Sequence, residues 1–218
     1  MTAETHVVAT TTHGRYRVAP AAGGARGILV GFHGYGETAE RHLAELERIP
    51  GGERWTRVAV DGLHAFYDRK NETVVRSWMT RDLRDEAIAD NVSYVAAVVE
   101  RVRGEAGWEL PLVYCGFSQG ASMCWRAAVL GGQDTAAAVA IGGDCPPELA
   151  EIESFPLRRA LLARGAADDW YSEEKLARDE GILAAHRVEV EVVRYPGGHE
   201  WTGELRQAIG DFLATLLA

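Results

Sequence analysis

Residues 116–120 read Gly116-Phe117-Ser118-Gln119-Gly120, directly after the apolar run Leu112-Val113-Tyr114-Cys115 and directly before a helix-like stretch from Ala121 to Leu130. A Gly-x-Ser-x-Gly between a strand and a helix is the pattern of a nucleophile elbow. Such a turn holds its central residue in a strained backbone conformation and lifts the side-chain oxygen clear of the sheet. The flanking positions must be small, because strand and helix backbones nearly touch there. Gly and Ser are common, so the five residues gain weight from their strand-turn-helix setting and from what lies downstream.

A serine hydroxyl is a poor nucleophile and needs a general base, itself oriented by a carboxylate. At an elbow of this kind the chain order is serine, acid, histidine. Downstream of Ser118 stand two histidines, His186 and His199. His186 closes the helical segment Ser172 to His186, where a cationic side chain suits the helix C-terminus. His199 lies in the glycine-rich loop Tyr195-Pro196-Gly197-Gly198-His199-Glu200-Trp201, which can present a side chain at the sheet's rim, so it is the candidate base. The acid should follow the apolar run Ala160-Leu161-Leu162-Ala163-Arg164-Gly165, which delivers Asp168 and Asp169. An Asp there can also cap the next helix, but Ser172 with Glu173 and Glu174 already supplies a cap. Asp168 is the first choice and Asp169 the reserve. The 31 residues from Asp168 to His199 leave room for one helix and one strand.

Taken together, His33-Gly34-Tyr35-Gly36-Glu37, Gly116-Phe117-Ser118-Gln119-Gly120, Gly165-Ala166-Ala167-Asp168 and Gly198-His199 resemble, in order and spacing, the phospholipase/carboxylesterase (acyl-protein thioesterase-like) family of α/β-hydrolases. The resemblance covers about residues 27–218. It implies a catalytic triad of Ser118, Asp168 and His199, the Gly-x-x-Asp aspartate being the family's acid. Family members usually carry His where Arg164 stands and Pro where Asp169 stands.

Acyl transfer creates an oxyanion that backbone N–H groups can hold. One donor is the residue after the nucleophile, Gln119, and the other comes from a loop after an early strand. That loop is His33-Gly34-Tyr35-Gly36, after Ile28-Leu29-Val30-Gly31-Phe32, and by resemblance its donor is Tyr35. The same glycines admit a rival. Gly34-Tyr35-Gly36-Glu37-Thr38-Ala39 satisfies the G-x-G-x-x-G/A dinucleotide fingerprint, with Asp61 after the next apolar strand, which would make the chain an NAD-linked oxidoreductase. Asp61 lies 27 residues beyond Gly34, farther than the usual ~20 to the ribose-binding acid. Glu37 would repel a pyrophosphate, and Ser118, Asp168 and His199 would go unused. A third reading keeps the hydrolase fold as a non-catalytic receptor.

At 218 residues and 47% apolar the chain can bury a full core as one α/β domain, 1–218. The net charge of −9 argues against nucleic acid or anionic membrane as partner. No apolar run is long enough to span a bilayer, and Met1 to His6 lack the basic start of a secretory signal, so the expected location is cytoplasmic. Three cysteines make no disulfide framework; Cys115 and Cys124 read as core. The histidines show no paired metal-ligand spacing, and no cofactor is expected. The oligomeric state is not written in the sequence, and a homodimer is compatible with it.

Strands and helices alternate, which predicts a mostly parallel, doubly wound sheet with helices on both faces. His6 to Ala19 reads as an entry hairpin turning at His13-Gly14. Helices are expected over Thr38–Ile49 and from Asp82 to Gly104, the latter burying Ile88, Val92, Val95, Val99 and Val102. Gly62 to Arg81 reads as a loop. Leu112–Cys115 and Ala136–Ile141 read as central strands, whereas Val188, Val190 and Val192 alternate with Glu189 and Glu191 and place their strand toward an edge. Little sequence remains for a lid, so an open cleft is expected. Its candidate walls are His64, Phe66, Tyr67, Trp78, Cys145, Trp170 and Trp201, aromatics and a thiol in loops at the strands' carboxyl ends. The function this implies is a serine carboxylesterase acting on small to medium acyl esters, aryl esters included; acyl thioesterases and lysophospholipases share the same machinery.

Overall fold

The computed structural model describes residues 3–70, 72–153 and 155–217. In chain order the elements are β1 (Tyr16–Ala19), β2 (Gly27–Phe32), α1 (Ala39–Glu47), β3 (Trp55–Val60), β4 (His64–Asp68), β5 (Thr73–Ser77), α2 (Arg84–Ala106), β6 (Leu112–Phe117), α3 (Gln119–Leu130), β7 (Ala137–Ile141), β8 (Arg159–Gly165), α4 (Glu173–Ala185), β9 (Glu189–Tyr195) and α5 (Gly203–Thr215). Short 3-10 turns lie at Gly52–Arg54 and Pro147–Glu151.

Seven strands form one sheet in the order β1-β3-β2-β6-β7-β8-β9. β1 runs antiparallel to β3 and every other pairing is parallel. The central strands β2, β6 and β7 are buried along their whole length, as continuous apolar runs covered on both faces must be. Alternate residues point to opposite sides: Ile28, Val30, Phe32, Leu112 and Tyr114 join one core with residues of α2, α3 and α4, while Leu29, Val113, Cys115 and Phe117 join the other with α1 and α5. Each fully buried aliphatic or aromatic side chain contributes roughly 1.5–3 kcal/mol relative to exposure. The β9 strand forms one edge, with Glu189 and Glu191 exposed and Val190 and Val192 half-buried, so charge blunts an edge open to pairing.

Register decides where the site forms. Phe32 pairs with Gly116, Phe117 with Ile141 and Gly165 with Tyr195. The carboxyl ends of β2, β6, β7, β8 and β9 therefore finish near one rim, and the loops that follow share it. Among the described residues no helix is long and apolar enough to cross a membrane.

Three expectations are corrected. No strand precedes Tyr16 among the described residues, so the entry hairpin does not form; β1 finds its partner in β3, and Arg15 O accepts the Tyr94 hydroxyl at 2.6 Å. The stretch expected as a loop, 62–81, contains an antiparallel hairpin, β4 with β5, pairing His64 with Ser77 and Asp68 with Thr73. Its charged residues hide the alternation of a small two-stranded ribbon. On α2 the buried face runs through Ala87, Asn91, Val95, Val98, Val99 and Val102, while Ile88 and Val92 are only half-buried. Asn91 draws the helix round, because its side chain donates to Trp78 O and Ala87 O, both at 2.8 Å, and accepts from Leu63 N–H at 3.3 Å.

Two positions record how tightly the layers meet. A Cβ on Gly120 would lie 2.0 Å from Phe32 O and 2.6 Å from His33 O. Gly120→Ala should accordingly lower unfolding stability by about 1–3 kcal/mol or more, the scale of core overpacking, read as a shifted midpoint in urea. On the opposite face His42 of α1 is wholly buried over Gly31, and burial, then the nearby His33, push its imidazole down to about 3. The unfolded chain binds a proton near 6.5 that the folded chain refuses until about 3, so stability is lost as pH falls through that window. His42→Leu should flatten the slope of stability against pH between 6 and 4 by up to about 1.4 kcal/mol per unit, measured by denaturant titrations at several pH values.

Candidate active site

The elbow is built by close backbone contact. A Cβ on Gly116 would lie 2.1 Å from Gly120 O, so the chain passes from β6 into α3 only with glycine on both sides of the turn. Ser118 between them takes φ +56° and ψ −119°, a region that side-chain-bearing residues seldom occupy and that costs of order 1–3 kcal/mol. Its N–H is anchored on Ile141 O at 2.8 Å. The residue that a strained turn presents at a helix N-terminus is thus the serine.

Asp168 follows β8 and is buried. Its Oδ1 accepts the N–H groups of Trp170 (2.8 Å) and Tyr171 (2.9 Å), and its Oδ2 accepts from His199 Nδ1 at 2.9 Å. This bond assigns the imidazole proton to Nδ1 and leaves Nε2 with the free lone pair. The reserve residue Asp169 is exposed, and His186 caps α4 while stacking on Phe155 at 4.1 Å. Arg164, at the end of β8, braces the acid loop from beneath: it donates to Tyr171 O (2.8 Å) and Asp168 O (3.0 Å) and pairs with Glu173 (2.7 Å). The His199 loop is tied to the same place by Ala167 N–H on Gly197 O (2.8 Å) and Tyr195 hydroxyl on Glu200 O (3.0 Å).

His199 lies 5.0 Å, centroid to centroid, from Phe117 and lines one cleft with Ser118. Gly142, at φ +60°, leaves the space beside the pair open; a Cβ there would come within 3.2 Å of both the His199 ring and Asp168 Oδ2. Among the described residues the Ser118 side chain makes no hydrogen bond to His199. Bonds of this kind commonly tighten only around substrate.

The second candidate oxyanion donor sits on a braced loop. Gly34 N–H donates to Glu37 Oε2 (2.9 Å), and Gly36 N–H and Arg76 N–H exchange bonds with Arg76 O and Glu37 O, each at 2.9 Å. The β4–β5 hairpin thereby becomes the loop's support, and Tyr35 stacks on Phe66 at 5.2 Å. Neither Tyr35 N–H nor Gln119 N–H donates a hydrogen bond among the described residues. His33 holds the loop from below: its Nδ1 donates to Gly34 O (2.7 Å) and its Nε2 accepts from Gly62 N–H (3.0 Å), while burial pushes its pKa down. It is a neutral strut.

The cleft, about 620 Å³, is bounded by Tyr35, Met79, Arg126, Gly143, Pro146 and Trp170 among others. Of the expected wall residues, Trp170 lines it, 75% exposed. Trp201 lines a smaller adjoining cleft of about 260 Å³ with His199, Phe117 and His42. The other five do not line the Ser118 cleft. Trp78 is buried, with its indole N–H on His33 O at 2.8 Å. Cys145 is buried behind the wall, its thiol pushed up to about 12 by burial. His64, Phe66 and Tyr67 belong to the supporting hairpin, whose alternation turns Tyr67 to solvent. Ring-rich loops can support a site as well as line it, and sequence does not separate the two roles.

Other contributors had no motif to announce them. The Gln119 side chain accepts from Trp78 N–H (3.0 Å) and Ser77 hydroxyl (3.1 Å) and donates to Met79 O (3.1 Å), locking the segment after β5 to the elbow. Asp179 of α4, fully buried, accepts from Cys145 N–H and the Tyr171 hydroxyl, both at 2.9 Å, and pairs with Arg178; burial raises its pKa. It joins the loop after β7 to the acid loop. The dinucleotide reading meets a physical obstacle: Asp61 Oδ1 accepts Ala39 N–H at 2.7 Å, so a carboxylate already occupies the helix N-terminus where a pyrophosphate would sit.

No protein-family model matches the chain, and no curated protein matches it at a significant level. Solved structures do. Esterase PE8 superposes with a TM-score of 0.76 at 20% identity, covering 94% of this chain and 100% of that one. A carboxylesterase from Mesorhizobium loti gives 0.76 at 21%, covering 92% and 94%. Zea mays acyl-protein thioesterase 2 gives 0.72 at 20%, covering 94% and 100%. The architecture is that of the α/β-hydrolase fold.

Asp168→Asn should cut turnover of an activated ester by about 10⁴-fold, the loss the same change causes in a serine-protease triad, whereas Asp169→Asn should leave it nearly unchanged. Steady-state rates of the two purified variants decide between the carboxylates.

Proposed function

We propose that this chain, acting as one domain over residues 1–218, is a serine carboxylesterase of the phospholipase/carboxylesterase type. The observation that carries the reading is the 2.9 Å bond from His199 Nδ1 to the buried Asp168 carboxylate, with the other ring nitrogen left for a serine held at positive φ in the same cleft. Solved esterases and a thioesterase of like fold support it. Three buried free thiols suit a reducing, cytoplasmic setting.

Ser118 Oγ attacks the ester carbonyl as His199 Nε2 takes its proton, and Asp168 holds and stabilises the imidazolium. The N–H groups of Tyr35 and Gln119 receive the oxyanion, a contribution of roughly 2.7–4 kcal/mol for one such donor elsewhere. His199 then protonates the leaving alcohol. Water enters, deprotonated by the same imidazole, and releases the acid from Ser118. No metal or cofactor is required. The cleft favours small to medium acyl groups, and a thioester would meet the same machinery.

Wild-type protein should hydrolyse p-nitrophenyl acetate with burst kinetics, and a fluorophosphonate should label Ser118. Ser118→Ala should lose both responses. Retained hydrolysis in that variant would assign the reaction to another group, and no hydrolysis in the wild type would favour a receptor.

A further inference from the structure

Two guanidinium groups on the wall of the Ser118 cleft share one carboxylate. Ser122 and Arg126 stand four apart on α3, hence on one helix face, and with Ser118, the residue just before the helix, they line the cleft. Arg126 is 2% exposed. Its Nε and Nη2 both donate to Glu148 Oε1, at 2.9 and 2.6 Å. Its Nη1 meets only Met79 Sδ, at 3.7 Å, among the described residues, and a thioether is a weak acceptor. Arg84, at the start of α2 and also on the cleft, donates to the same Glu148 at 3.3 and 3.5 Å and touches the solvent-exposed Asp85 at 3.4 Å. The remaining cleft cation, Lys175, is matched by Asp144 at 3.4 Å.

Asp85 is too exposed to neutralise much. The wall therefore carries an excess positive charge, in a protein of net charge −9. Arg126 ties α3 and Arg84 ties α2 to the Pro147–Glu151 turn, and both do so through the single carboxylate of Glu148. A buried guanidinium with an end left to a sulfur atom is costly unless something completes it. Arg126 lies two turns into α3, so the helical rise of about 1.5 Å per residue sets its Cα about 12 Å from the Ser118 end of the helix, and helical side chains lean toward the N-terminus, back toward the serine. An anion at Arg126 would thus stand a short carbon chain away from a carbonyl at Ser118.

We propose that Arg126 and Arg84 form an anion subsite that selects esters carrying a carboxylate on a short chain, such as hemiesters of small dicarboxylic acids. The proposal rests on the hydrolase reading above. It makes this wall, with Met79, the specificity determinant, and Glu148 the group that holds the two cations in place.

The test compares kcat/KM for monoethyl adipate, for 5-acetoxypentanoate with its charge on the alcohol side, and for the methyl-capped adipate diester, which bears no charge, following the released acids by chromatography. One charged ester should exceed the neutral diester by roughly tenfold or more, the scale of one charge-assisted hydrogen bond, chiefly through KM. The preference should shrink as sodium chloride is raised. In Arg126→Met and in Arg84→Gln the charged-to-neutral ratio should fall toward one. Equal or better use of the diester by the wild type overturns the subsite and leaves the hydrolase intact. A ratio untouched by salt and by Arg84→Gln overturns it too, and both readings stand even where Arg126→Met fails to fold. If no ester turns over and the fluorophosphonate leaves Ser118 unlabelled, the hydrolase reading falls and takes the subsite with it.

Discussion

Backbone packed on backbone at the turn from β6 to α3 is the constraint on which everything at the rim depends. Gly116 and Gly120 let α3 press against its own strand and against the end of β2, with distances that exclude even a methyl group. That approach fixes three things together. It forces Ser118 to positive φ, it points the α3 N-terminus at the cleft, and it brings the loop after β2 beside the serine. Loosen it, and the hydroxyl, the Gln119 amide and the Tyr35 amide part company.

Around that fixed point the site is assembled by loops held from below. His33 ties the Tyr35 loop to the end of β3, the β4–β5 hairpin grips it from the side, and the Gln119 amide clamps the chain after β5. Arg164 and Asp179 do the same for the acid loop. Each is a buried or half-buried polar group with its partners in place, the condition under which such groups rigidify rather than destabilise. Preorganisation of this kind lets amides stabilise a developing charge without first reorganising. The Arg126–Glu148–Arg84 wall departs from the pattern, since one carboxylate holds two guanidinium groups and the Arg126 Nη1 meets only a thioether among the described residues.

Legibility in the sequence follows the range of the physics. The elbow, the capping residue Ser172, the central strands and the edge character of β9 were readable because each depends on neighbours a few residues away. The choice of Asp168 over Asp169 was half readable: both follow β8, and only burial and three donors separate them. Phe66, Trp78 and Cys145 were expected in the pocket because an aromatic or thiol in a loop looks alike whether it lines a cleft or props one up. The hairpin at 64–77 was missed since its alternation serves a ribbon only half packed on the body.

By itself the sequence determined an alternating α/β chain, a serine on a glycine-flanked turn, and the order in which acid and histidine follow it, because turn sterics and hydrophobic period are local properties written residue by residue. Tertiary structure alone decided that the Asp168 carboxylate is buried among three donors while Asp169 faces solvent, that Tyr35 is braced by a hairpin, that Asp61 closes the helix a nucleotide would need, and that Arg84 joins Arg126 on one carboxylate. Those are contacts between residues far apart in the chain. They exist only once strand register has brought the loop ends to a common rim, and no spacing in the sequence encodes that convergence.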